Sequence, residues 1–202
     1  MQSTENKIKE WVIKQRRGKI FFTNDLQNFG SSGAVRLSLF RLCKEGFLTR
    51  LSAGIFVYPK YSKFLGEYIN PSIEEIAKAI AKNEKIRIIP TGLYALNVLG
   101  LSTQVPMRVV FLTDGTPRAI KLKGEVAIIL KKTIPKYLSF KSEITTLVIF
   151  ALKEIGNGKV LDSELQRIKE VLSHEKPEII KHDAALAPQW ITETLLKLIE
   201  NG

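Results

Sequence analysis

Cysteine is almost missing from this chain: Cys43 stands alone among 202 residues. That excludes an intrachain disulfide and any zinc site built on cysteines. Histidine is nearly as scarce. His174 and His182 have no cysteine partners, and His174-Glu175 runs into Pro177 rather than into a helix with a second histidine. A zinc-protease motif is therefore excluded, and no metal or other cofactor is expected. No apolar run approaches the ~20 residues of a membrane-spanning helix, and Leu147 to Leu152 is the longest. Met1 to Glu10 is polar and offers no apolar stretch suited to a signal peptide. Low-complexity tracts are absent as well. These absences together predict a globular cytoplasmic protein with no membrane partner.

Acidic residues are also in short supply. Asp plus Glu numbers 20 against 31 for Lys plus Arg, a formal net charge of +11. The excess is uneven. Residues 1–60 carry 11 basic and 4 acidic side chains, net +7; residues 61–150 carry 13 and 7, net +6; residues 151–202 carry 7 and 9, net −2. A basic front suits a polyanion, most simply DNA, although a solvated surface would also account for it.

What is present fits an α+β protein: an N-terminal winged helix-turn-helix followed by an α+β domain with a small sheet and C-terminal helices. A first helix is expected over 5–17, with Ile8, Trp11 and Val12 on its apolar stripe and Ile13 at the edge. Lys19 to Phe22 reads as a short extended piece. Thr23 is expected to cap a second short helix, with Asp25 in its first turn. Gly30-Ser31-Ser32-Gly33 reads as a turn. A third helix follows to Lys44, where Val35, Leu39, Leu42 and Cys43 make one core face. Phe47 to Ser52 and Ile55 to Tyr58 flank Ala53-Gly54 as a hairpin closed by Pro59. These boundaries give a DNA-binding domain over 1–62, a bridge over 60–70, and a second domain over 71–202.

The second domain is expected to open with a helix that Ser72 and Glu75 cap reciprocally. A strand over Ile86 to Ile89 comes next, then a helix capped by Thr91. Strands at Arg108 to Thr113, Arg118 to Leu122 and Glu125 to Leu130 complete a mixed or antiparallel sheet. From about residue 140 the chain reads as helices, one of them capped by Asp162 or Ser163. In the last, Trp190, Leu195, Leu198 and Ile199 make an apolar side that is either core or a partner surface.

The candidate site lies in the first 60 residues. A recognition helix enters the major groove by its N-terminal part, here marked by Ser31, Ser32, Arg36 and Ser38. Arg36 follows core Val35 and points outward, and arginine bidentate to guanine is the commonest specific contact. Arg41 suits a phosphate. Arg50 and Ser52 in the hairpin suit the backbone or a minor groove, and Lys14, Arg16, Arg17 and Lys19 add backbone charge.

Catalytic constellations are lacking. Asp114 and Glu125 sit at neighbouring strand ends, but a metal-dependent nuclease would want lysine where Ala127 stands. Gly156-Asn157-Gly158-Lys159 lacks the spacing and the following Ser or Thr of a phosphate loop and reads as a helix end. Cys43 reads as a buried core residue. No catalytic residue is assigned, and the protein is not expected to be an enzyme. The rival readings are a protein-binding adaptor on a winged helix and, more remotely, a nucleic-acid-processing enzyme.

Three stretches carry a resemblance. Ser32-Gly33-Ala34-Val35 with Leu39 to Leu42, Gly46-Phe47-Leu48-Thr49-Arg50-Leu51, and Gly54-Ile55-Phe56-Val57-Tyr58-Pro59 together resemble the N-terminal winged helix of AbiEi-type antitoxins. Phe56 stands where that pattern has tyrosine, and Tyr58-Pro59 lack its intervening residues. Pro90 to Leu96, Leu99 to Ser102, Gln104-Val105-Pro106 and Val109 to Thr113 are similar to the start of that family's second domain. The likeness covers about residues 5–137. It implies a type IV toxin–antitoxin component that binds and represses its own promoter. It also implies that the chain counters a nucleotidyltransferase-like toxin without forming a stable complex. By position, the DNA-facing residues it implies are Ser31, Ser32, Arg36, Ser38 and Arg41, with Arg50 in the wing. The DNA sequence, the oligomeric state and any contact of the basic middle segment with nucleic acid are left open.

Overall fold

The computed structural model describes residues 2–200, an α+β arrangement of helices and small sheets. The chain divides into two compact units. The first runs to Glu84 and includes Ile120–Glu125; the second comprises Lys85–Ala119 and the chain from Val126 on.

The first unit opens with α1 (Thr4–Ile13), whose N-cap Ser3 accepts the Asn6 N–H. The helix is shorter than its apolar pattern suggests, and Ile13 ends it exposed. Strand β1 (Ile20–Phe22) follows. The second short helix is a 3₁₀ helix (Thr23–Phe29). Thr23 does not cap it; the Asp25 carboxylate does, accepting the Phe22 N–H at 2.8 Å. Helix α2 (Ser32–Lys44) begins one residue earlier than the glycine suggests, because Ser31 is its N-cap and accepts the Ala34 N–H. Strands β2 (Thr49–Ser52) and β3 (Ile55–Val57) make the hairpin, and the sheet order is β1-β3-β2 with antiparallel pairing throughout. The register slips between Arg50 and Ser52. Ile8, Val12, Phe21, Leu26, Val35, Leu39, Leu42 and Leu48 form one buried core, with Trp11 edge-on to Phe21. Burial of α1, α2 and β1 against one another is thus what orients α2.

The bridge over residues 60–70 has regular structure of its own. It holds a second hairpin, β4 (Lys60–Ser62) with β5 (Glu67–Ile69), in which Tyr61 packs edge-on to Tyr68. Helix α3 (Ile73–Glu84) has the expected reciprocal cap: Ser72 Oγ accepts from Glu75 N–H, and the Glu75 carboxylate accepts from Ser72 N–H.

After α3 the chain forms a four-stranded mixed sheet. Strands β6 (Ile88–Pro90), β7 (Val109–Thr113), β8 (Arg118–Leu122) and β9 (Glu125–Lys132) lie in the order β6-β7-β9-β8. β6 pairs antiparallel to β7, which runs parallel to β9. Helix α4 (Leu93–Val98) starts at Gly92, not at Thr91. The Thr91 hydroxyl instead donates to the Val110 carbonyl, a cross-strand duty that removes it from capping. Helix α5 (Glu143–Ile155), capped by Ser142, is buried at every residue from Thr145 to Leu152. A helix apolar all round sits at the centre of its core, and α6 (Asp162–Leu172), α7 (Pro177–Ala184) and α8 (Gln189–Glu200) pack into the same cluster through Ile168, Ile180, Ile191 and Leu195. Neither Asp162 nor Ser163 caps α6. Leu161 holds the cap position, its N–H donated to the Glu164 carboxylate. The apolar side of α8 is largely core: Ile191 and Leu195 are fully buried, with Trp190, Leu198 and Ile199 packed against the cluster. Among the described residues no helix is long and apolar enough to cross a membrane.

Candidate nucleic-acid interface

One stripe of α2 is taken by the core and Ser31 by the cap, while Ser32, Arg36, Phe40 and Arg41 stay exposed. Val35, Leu39 and Leu42 are buried. Ser38 joins them, at 6% exposure. It lies three residues after Val35 and four before Leu42, within the core stripe, so a short hydroxyl side chain is tucked under the helix. Its expected DNA-facing role is corrected on that ground.

Arg36 is exposed, and its Nη2 donates to Ser32 Oγ at 3.4 Å. That long bond holds the guanidinium over the first turn without consuming it. Ser31 and Ser32 are also exposed, although the Ser31 hydroxyl already serves as the cap. Arg41 is exposed and only loosely paired to Glu5, at 3.8 Å. Glu5 also receives Lys9, which is bonded more closely to Glu45, at 2.9 Å. That bond is the first cause holding the Lys9 ammonium above its ordinary pKa.

In the hairpin, Arg50 is exposed and its Nε donates to the Ser52 carbonyl at 3.2 Å; Ser52 is half-buried. Arg50 and α2 wall a groove of about 460 Å³, lined also by Thr23, Arg36, Phe40 and Cys43. A second hollow of about 400 Å³ is lined by Asn24, Gln27 and Ser32 and shares Thr23 with the first. Arg36 belongs to both. Cys43 is half-buried at the groove wall, not sealed in the core, and burial pushes its thiol pKa up against the opposing charge of Arg50.

The basic run before β1 splits by role. Lys14, Arg16, Arg17 and Lys19 are all exposed. Arg17 is committed to structure: its Nη1 donates to the Pro59 carbonyl at 3.1 Å, and its guanidinium lies 4.2 Å from the Tyr58 ring centroid. The backbone fastens this run to the end of β3 through Gly18 N–H to the Tyr58 carbonyl and Tyr58 N–H to the Lys19 carbonyl.

Asp114 and Gly156 have structural duties. Asp114 accepts the Arg87 backbone N–H at 2.8 Å and its Nε at 2.9 Å. Those bonds, the backbone one first, hold its carboxyl below the ordinary carboxylate pKa. Gly156, at φ +96°, closes α5 with its N–H on the Leu152 carbonyl. Among the described residues no group of three or more His, Cys, Asp or Glu side chains is placed to hold a metal ion.

Phe40, Asn24 and Gln27 were not singled out from the sequence, and Thr23 only as a helix cap. The signal for Phe40 was available: it stands four residues after Arg36 and so shares its face, out of phase with Val35, Leu39 and Leu42. Thr23, Asn24 and Gln27 enter the site only because the 3₁₀ helix packs beside α2.

A family model matches residues 7–180. The chain belongs to DUF6088, a family of unknown function. No curated protein matches it. Among solved structures, this DUF6088 chain is similar to the RV2827C protein from Mycobacterium tuberculosis, with 13% identity and a TM-score of 0.51, over 98% of this chain and 76% of that one. At that identity the likeness concerns fold alone.

Proposed function

We propose that the N-terminal unit is a winged helix-turn-helix that binds duplex DNA, with α2 as the recognition helix and the β2–β3 hairpin as the wing. The observation that carries this reading is Arg36: an exposed guanidinium on the N-terminal half of α2 that lines two hollows, one of them together with Arg50. The order helix, strand, short helix, helix, hairpin supports it, as does the net +7 of residues 1–60. In such a module the helix enters the major groove by its N-terminal part. Arg36 then reads a guanine edge, Arg41 and Arg50 take phosphates, and Lys14, Arg16 and Lys19 add backbone charge.

The resemblance to AbiEi-type antitoxins extends the proposal. The chain represses its own promoter and opposes a nucleotidyltransferase-like toxin encoded beside it, without a stable complex. This is a regulator's role, with no catalytic step. Harm from expressing the neighbouring protein alone, relieved by this chain, tests that extension.

The DNA reading is tested by mobility shift on the duplex upstream of the chain's own gene. Arg36→Ala should cost about 1–3 kcal/mol and relax preference at one base pair, whereas Arg41→Ala should weaken all sequences alike. A double variant that binds as tightly as the parent would sink the assignment.

A further inference from the structure

Arginine is not all that α2 presents. Phe40 is 66% exposed, on a helix that buries Val35, Leu39 and Leu42. It lies one turn beyond Arg36 on the same face, and the two side chains line one groove with Arg50. A large apolar ring held beside two guanidinium groups asks for a ligand that is anionic overall yet offers an apolar group at a fixed place. Duplex DNA meets both demands. Its phosphates match the arginines, and its major groove carries one methyl group, on C5 of thymine.

We propose that Phe40 packs on a thymine methyl in the same major groove in which Arg36 reads guanine, so that the preferred duplex carries a thymine close to that guanine. Four residues of helix advance about 6 Å, and a base step rises about 3.4 Å. The thymine therefore falls within about two base pairs of the guanine. This inference rests on the DNA-binding reading above and adds to it a second base and the residue that selects it.

The test begins with duplexes enriched from a random-sequence pool by the full chain. Each thymine of the best duplex is then replaced singly by deoxyuridine, which removes the methyl and keeps the base pair. One such replacement should weaken binding of the parent about fourfold, the worth of one buried apolar carbon. The same replacement should leave the affinity of Phe40→Ala unchanged, and Phe40→Leu should keep part of the discrimination. Because Phe40 is exposed, these variants should fold as the parent does. Equal affinity of the parent for every uracil-containing duplex would overturn the proposal while leaving the DNA reading in place. So would a Phe40→Ala protein that binds the parent duplex unchanged but loses self-association on a sizing column, since the ring would then belong to a contact between copies. Failure of the pool to yield any duplex would bring down the DNA reading itself, and this inference with it.

Discussion

Asp183 is fully buried, yet its carboxylate is well supplied with partners. It accepts the Lys141 N–H at 2.9 and 3.1 Å and the Ser142 N–H at 2.9 Å, and His182 Nδ1 lies 2.8 Å away. It thus ties α7 to the chain entering α5, the central helix of its core. Cutting the side chain back to alanine strands two backbone donors away from water. Asp183→Ala should lower unfolding stability by about 3 kcal/mol, read by urea denaturation, while Asp183→Asn, which keeps an acceptor, should lose less. Equal stability of the alanine variant and the parent would show that the tie contributes nothing net. Arg36 is the opposite case at the same scale. Its one hydrogen bond is long and it stays exposed, as the DNA reading proposed above requires.

Helix α2 shows what an element adds to its residues. The run Ser31 to Lys44 contains core, cap and outward side chains, and the helical period sorts them. Ser38 fell on the wrong side of that sorting when judged by its chemistry, because a serine suits a DNA contact and a tight core position equally. Ser31 fell between two duties, and the structure gives its hydroxyl to the cap. Ser31→Ala should therefore cost about 1 kcal/mol in stability. It should weaken DNA binding by loosening the first turn, without shifting base preference. A binding-site selection that returns a different preferred sequence for Ser31→Ala would instead make the hydroxyl a reader of bases. Helix ends elsewhere were decided by neighbours: Thr91 is drawn to the Val110 carbonyl, and Glu164 supplies the cap that Asp162 and Ser163 do not. The β4–β5 hairpin escaped notice because its residues alternate no apolar face, and Phe64 at its turn is almost fully exposed.

For the whole molecule the governing quantity is charge. The net +11 is concentrated ahead of residue 150, and the first unit carries exposed Lys14, Arg16, Lys19, Arg41 and Arg50 as candidates for phosphates. If those five neutralise one phosphate each, log affinity should fall with log salt at a slope of about −4.5. Titration between about 50 and 200 mM salt measures it, and removing Arg41 should make the slope shallower by about 1. A flat salt response would point to an adaptor that binds protein through apolar surface.

Composition and periodicity were enough for the α+β class, the helix–strand–helix–helix–hairpin order, the apolar stripe of α2, the apolar run of α5 and the Ser72–Glu75 cap. These are local properties: they depend on residues a turn or a strand apart, which the chain places together whatever else it does. The parallel run of β7 beside β9, the burial of Ser38, the contacts of Arg17 with Tyr58 and Pro59, and the two hollows that share Arg36 were not readable that way. Each depends on segments distant along the chain that burial of a shared core brings into contact. The same separation applies to the charge. Its amount and its place along the chain come from residue counts, but which cations remain open to a ligand is settled by the carbonyls, rings and carboxylates that folding sets beside them.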